Sequence, residues 1–403
     1  MRAGIGSRLR GRLGWAVVGV VGVVVSTLAG APPAGAGEPP SLTTVLENLN
    51  APRGVAFDRQ GSMYVVESGV IGPSGANGLT HSGTVSKYRR GSTTPLWSTI
   101  FESLYLTPPG SGPSQPPDVL GPEGISVAGN GCNGAGGDRG DRDTSCAIRL
   151  IMSESHNGVA AESDGAILTK DAGHLYGLNP VTGNPTDLSD VGDQQYLFTR
   201  RHKDLFPPDF PDSNPYGVLV TGGDDHQRNR TFVADAGANT VSEIMPGGRT
   251  RVIAYIPNET VAPFRDATPT CIAQGPDGML YVATLHFVAN LSGSGQSDVW
   301  RVDPNAKVPA APQLWASGLT TPTACTFDRK GNFWATEMFQ PTTGAPGDVV
   351  RIPFKYPKQL TRVGGGTLPL PGGIAQAPNG DIYVSINSAN PEPGSGAIVR
   401  IGN

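Results

Sequence analysis

One short phrase recurs along the chain and constrains its fold more than any other feature. In its clearest copy, residues 269–284, a proline precedes a short apolar stretch, an Asp-Gly turn and a second apolar stretch that carries an aromatic residue. Asp-Gly between two apolar stretches is the strongest short-range signal for a β-hairpin, because the turn requires positive φ. Six copies of the phrase begin at Pro52, Pro122, Pro215, Pro269, Pro322 and Pro371. The chain is therefore predicted to repeat one β-hairpin unit.

The spacing of the copies gives the size of the unit. A third strand-like stretch follows the hairpin, for example at residues 298–302 and 348–352, and a more variable fourth stretch leads to the next proline. The last three prolines are 53 and 49 residues apart, which is the size of a four-stranded propeller blade. We predict an all-β fold: a six-bladed β-propeller with four antiparallel strands in each blade.

The two ends of the repeat array complement each other. The sequence ends directly after the third strand of the last unit, and residues 42–46 form a spare strand before the first unit. We expect this N-terminal strand to complete the last blade, which would close the ring and leave no open sheet edge between its ends.

The first 36 residues have the pattern of a secretory signal peptide. A basic start precedes an apolar stretch at residues 15–30, and Ala-Gly-Ala at residues 34–36 forms a cleavage site. An uncleaved anchor is the alternative, although prolines and small residues follow the apolar stretch at once. We predict a protein that is secreted or held in the periplasm or cell envelope, with residues 37–403 forming a single propeller domain and no stable membrane span after cleavage.

The charge of the mature chain excludes some partners. Without the four arginines of the leader, 26 basic side chains face 34 acidic ones, a net charge near −8. This charge argues against nucleic acid or an anionic membrane surface as partner. We expect a monomer whose ligand is a small molecule, a glycan or a protein.

Two insertions interrupt the repeat. Residues 129–146 are rich in Gly, Asp and Arg and carry Cys132 and Cys146 at their ends, which predicts a disulfide in an exported protein. Residues 188–214 contain apolar residues at helical spacing, which predicts a short helix across one face that ends at Pro207 and Pro208.

The other two cysteines give opposing indications. Cys271 and Cys325 lie two and three residues after their prolines, in the first strands of adjacent blades. The one-residue offset turns the side chains to opposite strand faces, which argues against a bridge. Export argues for a bridge, because unpaired thiols are unusual outside the cell. A second disulfide and two buried thiols both remain open.

The candidate ligand site is one mouth of the central channel, where propeller sites usually lie. The residue after each repeat's proline is expected to line this mouth. These positions are Arg53, Glu123, Tyr216, Thr270, Thr323 and Gly372, with Asn214 just before its proline.

The blade pattern is similar to that of lactonase-type six-bladed enzymes, the regucalcin and diisopropylfluorophosphatase-like group. That group holds calcium with a Glu, two Asn and an Asp, and only Glu123, followed by Gly124, fits the pattern. The charge of Arg53 would oppose a divalent cation. Arg53 and Glu123 are expected either to form a structural ion pair or to bind a polar ligand together. We predict no metal, no cofactor and no catalytic residues.

Other polar residues give weaker signals. Glu67, Glu154, Asp235 and Glu337 recur at the end of the second strand, which favours turn capping over acid–base chemistry. No Gly-x-Ser-x-Gly motif surrounds a serine near His156, and the six histidines lack short metal-binding spacing.

Two phrases suggest a family. Asp-Ser-Asn-Pro-Tyr-Gly-Val at residues 212–218, followed by residues 233–241, resembles the signature of the ScyD/ScyE family, and the similarity extends over essentially all of the mature chain. The resemblance implies an exported six-bladed propeller related to proteins encoded beside scytonemin biosynthesis genes, with no established catalytic residues. The chain departs from the family in its cysteines after Pro269 and Pro322, where Gly is common, and in the Cys132–Cys146 loop.

Three functions therefore remain. The leading hypothesis is a non-catalytic binding module for a small polar ligand, glycan or protein. The second is a calcium-dependent, lactonase-like hydrolase that uses Glu123 and Asn214. The third is a purely structural protein of the cell envelope, whose channel mouth binds nothing.

Overall fold

The computed structural model describes residues 41–71, 78–106, 118–129, 132, 146–163, 165–205, 211–222, 229–258, 265–307, 309–340 and 344–402. The predicted signal peptide lies outside the described residues, as does most of the first insertion.

The described strands form six antiparallel sheets, one for each repeat, and the predicted six-bladed β-propeller is confirmed. Strand β1 (Leu42–Leu49) precedes the repeats. The first sheet contains β2 (Pro52–Phe57), β3 (Met63–Glu67), β4 (Gly78–Tyr88), β5 (Pro95–Leu106) and β6 (Asp118–Leu120). The second contains β7 (Pro122–Ala128), β8 (Ala147–Met152), β9 (His174–Leu178) and β10 (Pro185–Asp190). The third contains β11 (Pro215–Thr221), β12 (Arg230–Asp235), β13 (Thr240–Ile244) and β14 (Thr250–Tyr255).

The remaining blades follow the same order. The fourth contains β15 (Pro269–Gln274), β16 (Leu280–Thr284), β17 (Ser297–Val302) and β18 (Gln313–Leu319). The fifth contains β19 (Pro322–Phe327), β20 (Asn332–Gln340), β21 (Ala345–Pro353) and β22 (Thr361–Arg362). The sixth contains β23 (Ile374–Gln376), β24 (Ile382–Ile386) and β25 (Gly396–Ile401), and β1 is its fourth strand.

The N-terminal strand closes the ring, as the sequence predicted. β1 pairs antiparallel with β25, with Leu42 opposite Ile401 and Leu49 opposite Gly396. The inner strands contact one another in the order β2, β7, β11, β15, β19 and β23, and β23 returns to β2. The outer edge of the first blade departs from the four-stranded expectation, because β6 pairs antiparallel with the end of β5, with Leu120 opposite Leu104. This fifth strand covers the last three residues of the β5 edge.

The core lies between the blades. Tyr281 and Ala283 of the fourth blade pack against Phe333 and Val350 of the fifth, and all four side chains are buried. Strand side chains point alternately to the two faces of a sheet. The front of each blade therefore packs on the back of the next, and both faces of a blade are apolar.

Glycine permits close approach at the third position of several inner strands. A Cβ on Gly54 would lie 2.9 Å from the carbonyl oxygen of Glu123 and 3.2 Å from Cγ2 of Ile125 in the next blade. A Cβ on Gly124 would lie 2.6 Å from the carbonyl oxygen of Tyr216. The second residue after the proline therefore faces forward to the next blade, and the third residue, such as Ile125, faces back.

Both cysteine pairs are disulfides. Cys132 and Cys146 are bonded with their Cα atoms 4.8 Å apart, which confirms that prediction. Cys271 and Cys325 are also bonded, with their Cα atoms 5.6 Å apart. Cys271 is a forward-facing residue and Cys325 a backward-facing one. The one-residue offset is therefore what a bridge between adjacent blades requires, and the sequence argument against this bridge was wrong.

Within the described ranges, three helices connect strands: α1 (His156–Glu162), α2 (Val191–Arg201) and α3 (Phe287–Ser292). The predicted helix in the second insertion is α2, and it begins after β10, where the Asp190 side chain accepts a hydrogen bond from the Asp193 amide. It ends at Arg201, before the prolines, with the His202 amide closing the last turn. No helix among the described residues is long and apolar enough to cross a membrane.

Candidate binding site at the channel mouth

The inner strands bring most of the predicted site residues to one cavity. Consecutive strands of a blade run in opposite directions. One face of the ring therefore carries the start of the first strand, the end of the second strand and the start of the third strand of every blade. We call this the proline face, and α1, α2 and α3 all connect strands on it. A cavity of about 70 Å³ lies on the channel among the inner strands, and its lining includes Arg53, Glu123, Tyr216, Thr270 and Thr323.

Two predicted positions do not line this cavity. The sixth blade contributes Gly373 instead of Gly372. Asn214 is buried behind the ring, where its side-chain oxygen accepts a hydrogen bond from the Glu154 amide at 3.1 Å. The backbone amide of Asn214 donates to the Asp235 carboxylate at 2.8 Å. Asn214 therefore links the second blade to the third.

Arg53 and Glu123 form a buried ion pair between the first and second blades. The Arg53 Nη1 and Glu123 Oε1 atoms are 3.6 Å apart, and only 2% and 3% of the two side chains are exposed. Arg53 also donates from Nη2 to the carbonyl oxygen of Val119 at 3.4 Å. The pair places one positive and one negative group in the cavity wall, and each group neutralises the charge of the other.

The two threonines join blades. Thr270 donates from Oγ1 to the carbonyl oxygen of Pro322 in the next blade at 2.7 Å, and Thr323 donates to that of Pro371 at 3.0 Å. Ser68 makes the equivalent bond to Pro122 at 2.8 Å, although it lies at the end of the second strand. Sequence analysis missed Ser68, because a serine after a strand gives no signal that distinguishes it from a turn residue.

The carboxylates at the ends of the second strands cap the loops that enter the inner strands. Glu67 accepts from the Asn50 amide at 2.6 Å, and Glu337 accepts from the Thr320 amide at 2.6 Å. Asp235 accepts from Ser213 and from three backbone amides. Burial raises the pKa of each of these three carboxyl groups, and the hydrogen bonds act against that rise. The capping interpretation is therefore confirmed for these three residues.

A larger cleft on the proline face was not predicted. It lies between the fourth and fifth blades, has a volume of about 590 Å³ and is lined by residues that include Gln340, Asp348 and Arg362. Its size falls within the usual range for ligand pockets. Arg362 makes two hydrogen bonds to the Glu337 carboxylate, at 2.8 and 3.0 Å. These three residues come from three separate strands, β20, β21 and β22, so no contiguous motif marks the cleft.

Among the comparisons with known proteins, the structural match with a TM-score above 0.5 supports the fold. No family model matches the chain, and no curated protein matches it. A protein of unknown function from Bacteroides thetaiotaomicron VPI-5482 is 10% identical, with 90% of this chain and 75% of that chain covered and a TM-score of 0.51. A luciferin-regenerating enzyme is 12% identical, with 90% and 95% covered and a TM-score of 0.47. Regucalcin from Agrobacterium tumefaciens str. C58, a calcium-binding protein, is 11% identical, with 88% and 90% covered and a TM-score of 0.46. These similarities concern the fold alone.

Proposed function

We propose that this protein is an exported, non-catalytic binding module that holds a small polar group of its ligand at the channel mouth. One observation carries the proposal: a buried Arg–Glu pair, Arg53 and Glu123, forms part of the wall of a small polar cavity. A guanidinium presents a fork of donors that suits carboxylates, and a carboxylate accepts from hydroxyl groups. Together they suit an acidic sugar or another ligand with both groups.

The size of the cavity limits what can enter. By the same measure of volume, one water molecule needs about 10–15 Å³, so the cavity of about 70 Å³ has room for a carboxylate or a hydroxymethyl group. A whole drug-sized ligand needs several hundred Å³. The proposal is therefore that the end of a ligand enters the mouth while the rest contacts the proline face.

The arrangement gives less support to the calcium-dependent hydrolase. Calcium takes six to eight oxygen ligands, whereas Glu123 lies 3.6 Å from a guanidinium nitrogen that would repel the ion. Asn214, the other residue considered for that reaction, uses its side-chain oxygen for the Glu154 amide. The ScyD/ScyE resemblance and the signal peptide support the export of a propeller without assigned catalytic residues, and both remain predictions.

The test uses tag-free mature protein, residues 37–403, titrated with acetate and with D-glucuronate and followed by calorimetry. We expect saturable glucuronate binding that weakens at least tenfold in the double variant Arg53→Met/Glu123→Leu, which removes both charges together. The matched control is Arg301→Met/Asp277→Leu, which removes a surface ion pair of 2.9 Å on the fourth blade. The control variant should bind like the wild type.

Three outcomes would overturn the proposal. The absence of saturable binding to either probe would remove the acidic-ligand assignment. Loss of binding in Arg362→Gln, with the double variant unaffected, would move the site to the cleft between the fourth and fifth blades. A calcium-dependent rise in Tm, together with lactone hydrolysis that Glu123→Gln abolishes, would establish the hydrolase instead.

A further inference from the structure

Two histidines and an aspartate meet on the proline face, away from the residues of the channel mouth. His156 is the first residue of α1, His174 the first residue of β9, and Asp190 the last residue of β10. One ligand atom from each lies within 4.8 Å of the other two, and all three residues are partly buried. The three come from separate elements of the second blade and its helical connection.

The imidazole nitrogens have the spacing of ligands that share one ion. His156 Nε2 and His174 Nε2 are 3.0 Å apart, and His174 Nε2 lies 3.9 Å from Asp190 Oδ2. Two nitrogens on a tetrahedral zinc ion lie roughly 3.3 Å apart, because each Zn–N bond measures about 2.0–2.1 Å. The two imidazole nitrogens are therefore within a few tenths of an ångström of the spacing on one ion, and the Asp190 oxygen would complete the coordination by a larger approach.

Hydrogen bonds on the far side of each ring orient these nitrogens. His174 Nδ1 lies 3.0 Å from Asp187 Oδ2, and a carboxylate there accepts the Nδ1 proton. In the neutral ring this leaves the His174 Nε2 lone pair directed at His156. His156 Nδ1 lies 3.0 Å from the hydroxyl oxygen of Thr169. A carboxylate behind a histidine is the usual support for a metal ligand, since it fixes the ring and raises its basicity.

The aspartate is oriented as well. The Asp190 side chain accepts from the Asp193 amide through Oδ1 at 2.9 Å, as the N-cap of α2. Its Oδ2 atom is the one that approaches His174. The Asn157 amide of α1 donates to Asp193 at 2.9 Å, so the two helices are already joined beside the cluster.

We propose that His156, His174 and Asp190 bind a divalent transition metal ion, with Zn²⁺ as the best match. Two imidazoles and one carboxylate suit zinc, whereas calcium and magnesium take oxygen ligands. Three protein ligands leave the fourth tetrahedral position to water or to an incoming ligand. The ion would fasten α1 and the start of α2 to the second blade. No metal site was predicted from the sequence, because only short histidine spacings indicate one there. His156 and His174 are 18 residues apart, and His174 and Asp190 are 16 residues apart.

The test titrates ZnCl₂ into tag-free, metal-free mature protein by calorimetry. We expect one high-affinity zinc ion per chain and a rise in Tm. Co²⁺ should give the visible absorption of a tetrahedral site. His174→Asn should abolish high-affinity zinc binding, the rise in Tm and the Co²⁺ absorption. Asp187→Asn should weaken zinc affinity about 10–100-fold through loss of the supporting hydrogen bond. Asp187 is exposed, so this variant is expected to fold.

The matched control is His81→Asn, which removes an exposed histidine on β4. It should bind zinc like the wild type. Equal zinc affinity in wild type, His174→Asn and Asp187→Asn would overturn the proposal, as would the loss of affinity in His81→Asn alone. Glucuronate binding at the channel mouth is measured separately, so failure of either proposal leaves the other testable.

Discussion

The junction between the first and second blades and the junction between the fourth and fifth use opposite chemistry at equivalent places. At the first junction, Gly54 faces forward, the inner strands approach closely, and Arg53 and Glu123 form a buried ion pair. At the second junction, Cys271 occupies the forward-facing position of Gly54 and is bonded to Cys325. One repeat position therefore holds blades together either by close backbone contact beside a charged pair or by a covalent bond.

The difference separates recognition from stability. A buried ion pair is weak evidence for stability, since apolar residues of similar size often replace it without loss. A disulfide stabilises the fold mainly by restricting the unfolded chain, and its effect grows with the enclosed loop. The comparison therefore supports binding as the role of the charged junction and stabilisation as the role of the bonded junction. The following predictions test this assignment.

The largest effect is expected from breaking the charged junction on one side only. Glu123→Leu leaves the Arg53 cation buried opposite an apolar side chain and should lower the free energy of unfolding by about 3–5 kcal/mol. The double variant Arg53→Met/Glu123→Leu should recover most of this loss while losing glucuronate binding. Urea unfolding of the wild type and both variants measures the effect. A double variant as unstable as the single one would make this ion pair structural and contradict the assignment.

Removing the cross-blade disulfide should have the next largest effect. Cys271 and Cys325 are 54 residues apart, and the double variant to Ala should lower the free energy of unfolding by about 4 kcal/mol. The matched control removes Cys132 and Cys146, which are 14 residues apart and should contribute about 3 kcal/mol. Glucuronate binding should survive in both. A smaller loss from the cross-blade pair than from the control would contradict the role given to this junction.

Much of the fold was predictable because each blade repeats its own signals. The proline, the turn and the third strand recur with nearly constant spacing, so blade number, ring closure by β1 and the ring of channel residues followed from periodicity. The ring position even predicted that Arg53 and Glu123 would meet. These features depend on residues that occupy the same place in every unit.

The features that could not be predicted from the sequence depend on contacts between blades or between separate elements. To predict the bridge between Cys271 and Cys325, one must know that the front of one blade packs on the back of the next. The strand pattern alone does not give this information. Asn214 lies just before the ring position of its blade, yet its side-chain oxygen accepts a hydrogen bond from the Glu154 amide and does not line the cavity. His156, His174 and Asp190 meet only because a helix and two strands end at the same place, and their spacing gives no periodic signal.

The smallest effect concerns a third junction, between the third and fourth blades, where buried hydrogen bonds accompany the apolar packing. Asn239 donates to Asp266 at 3.0 Å and accepts from the Thr268 amide at 2.9 Å. Burial raises the pKa of Asp266 to about 7, and the bonds from Asn239 and Asn258 only partly counter it. Because the folded pKa exceeds the unfolded one, this group's contribution is complete below about pH 4 and is lost as the pH rises towards 7.

Asp266 should therefore make stability fall by about 2 kcal/mol between pH 4 and pH 5.5. Asp266→Asn keeps the acceptor for Asn239 and should remove this part of the slope in urea unfolding. Asp277→Asn is the control of opposite sign: burial acts to raise the pKa of Asp277, but the bond from Arg301 lowers it on balance. Asp277 therefore stabilises the fold above its unfolded pKa and loses this effect as the pH falls. A slope unchanged in Asp266→Asn would mean that folding does not raise the pKa of Asp266, and that this junction carries a charged carboxylate at neutral pH as the first one does.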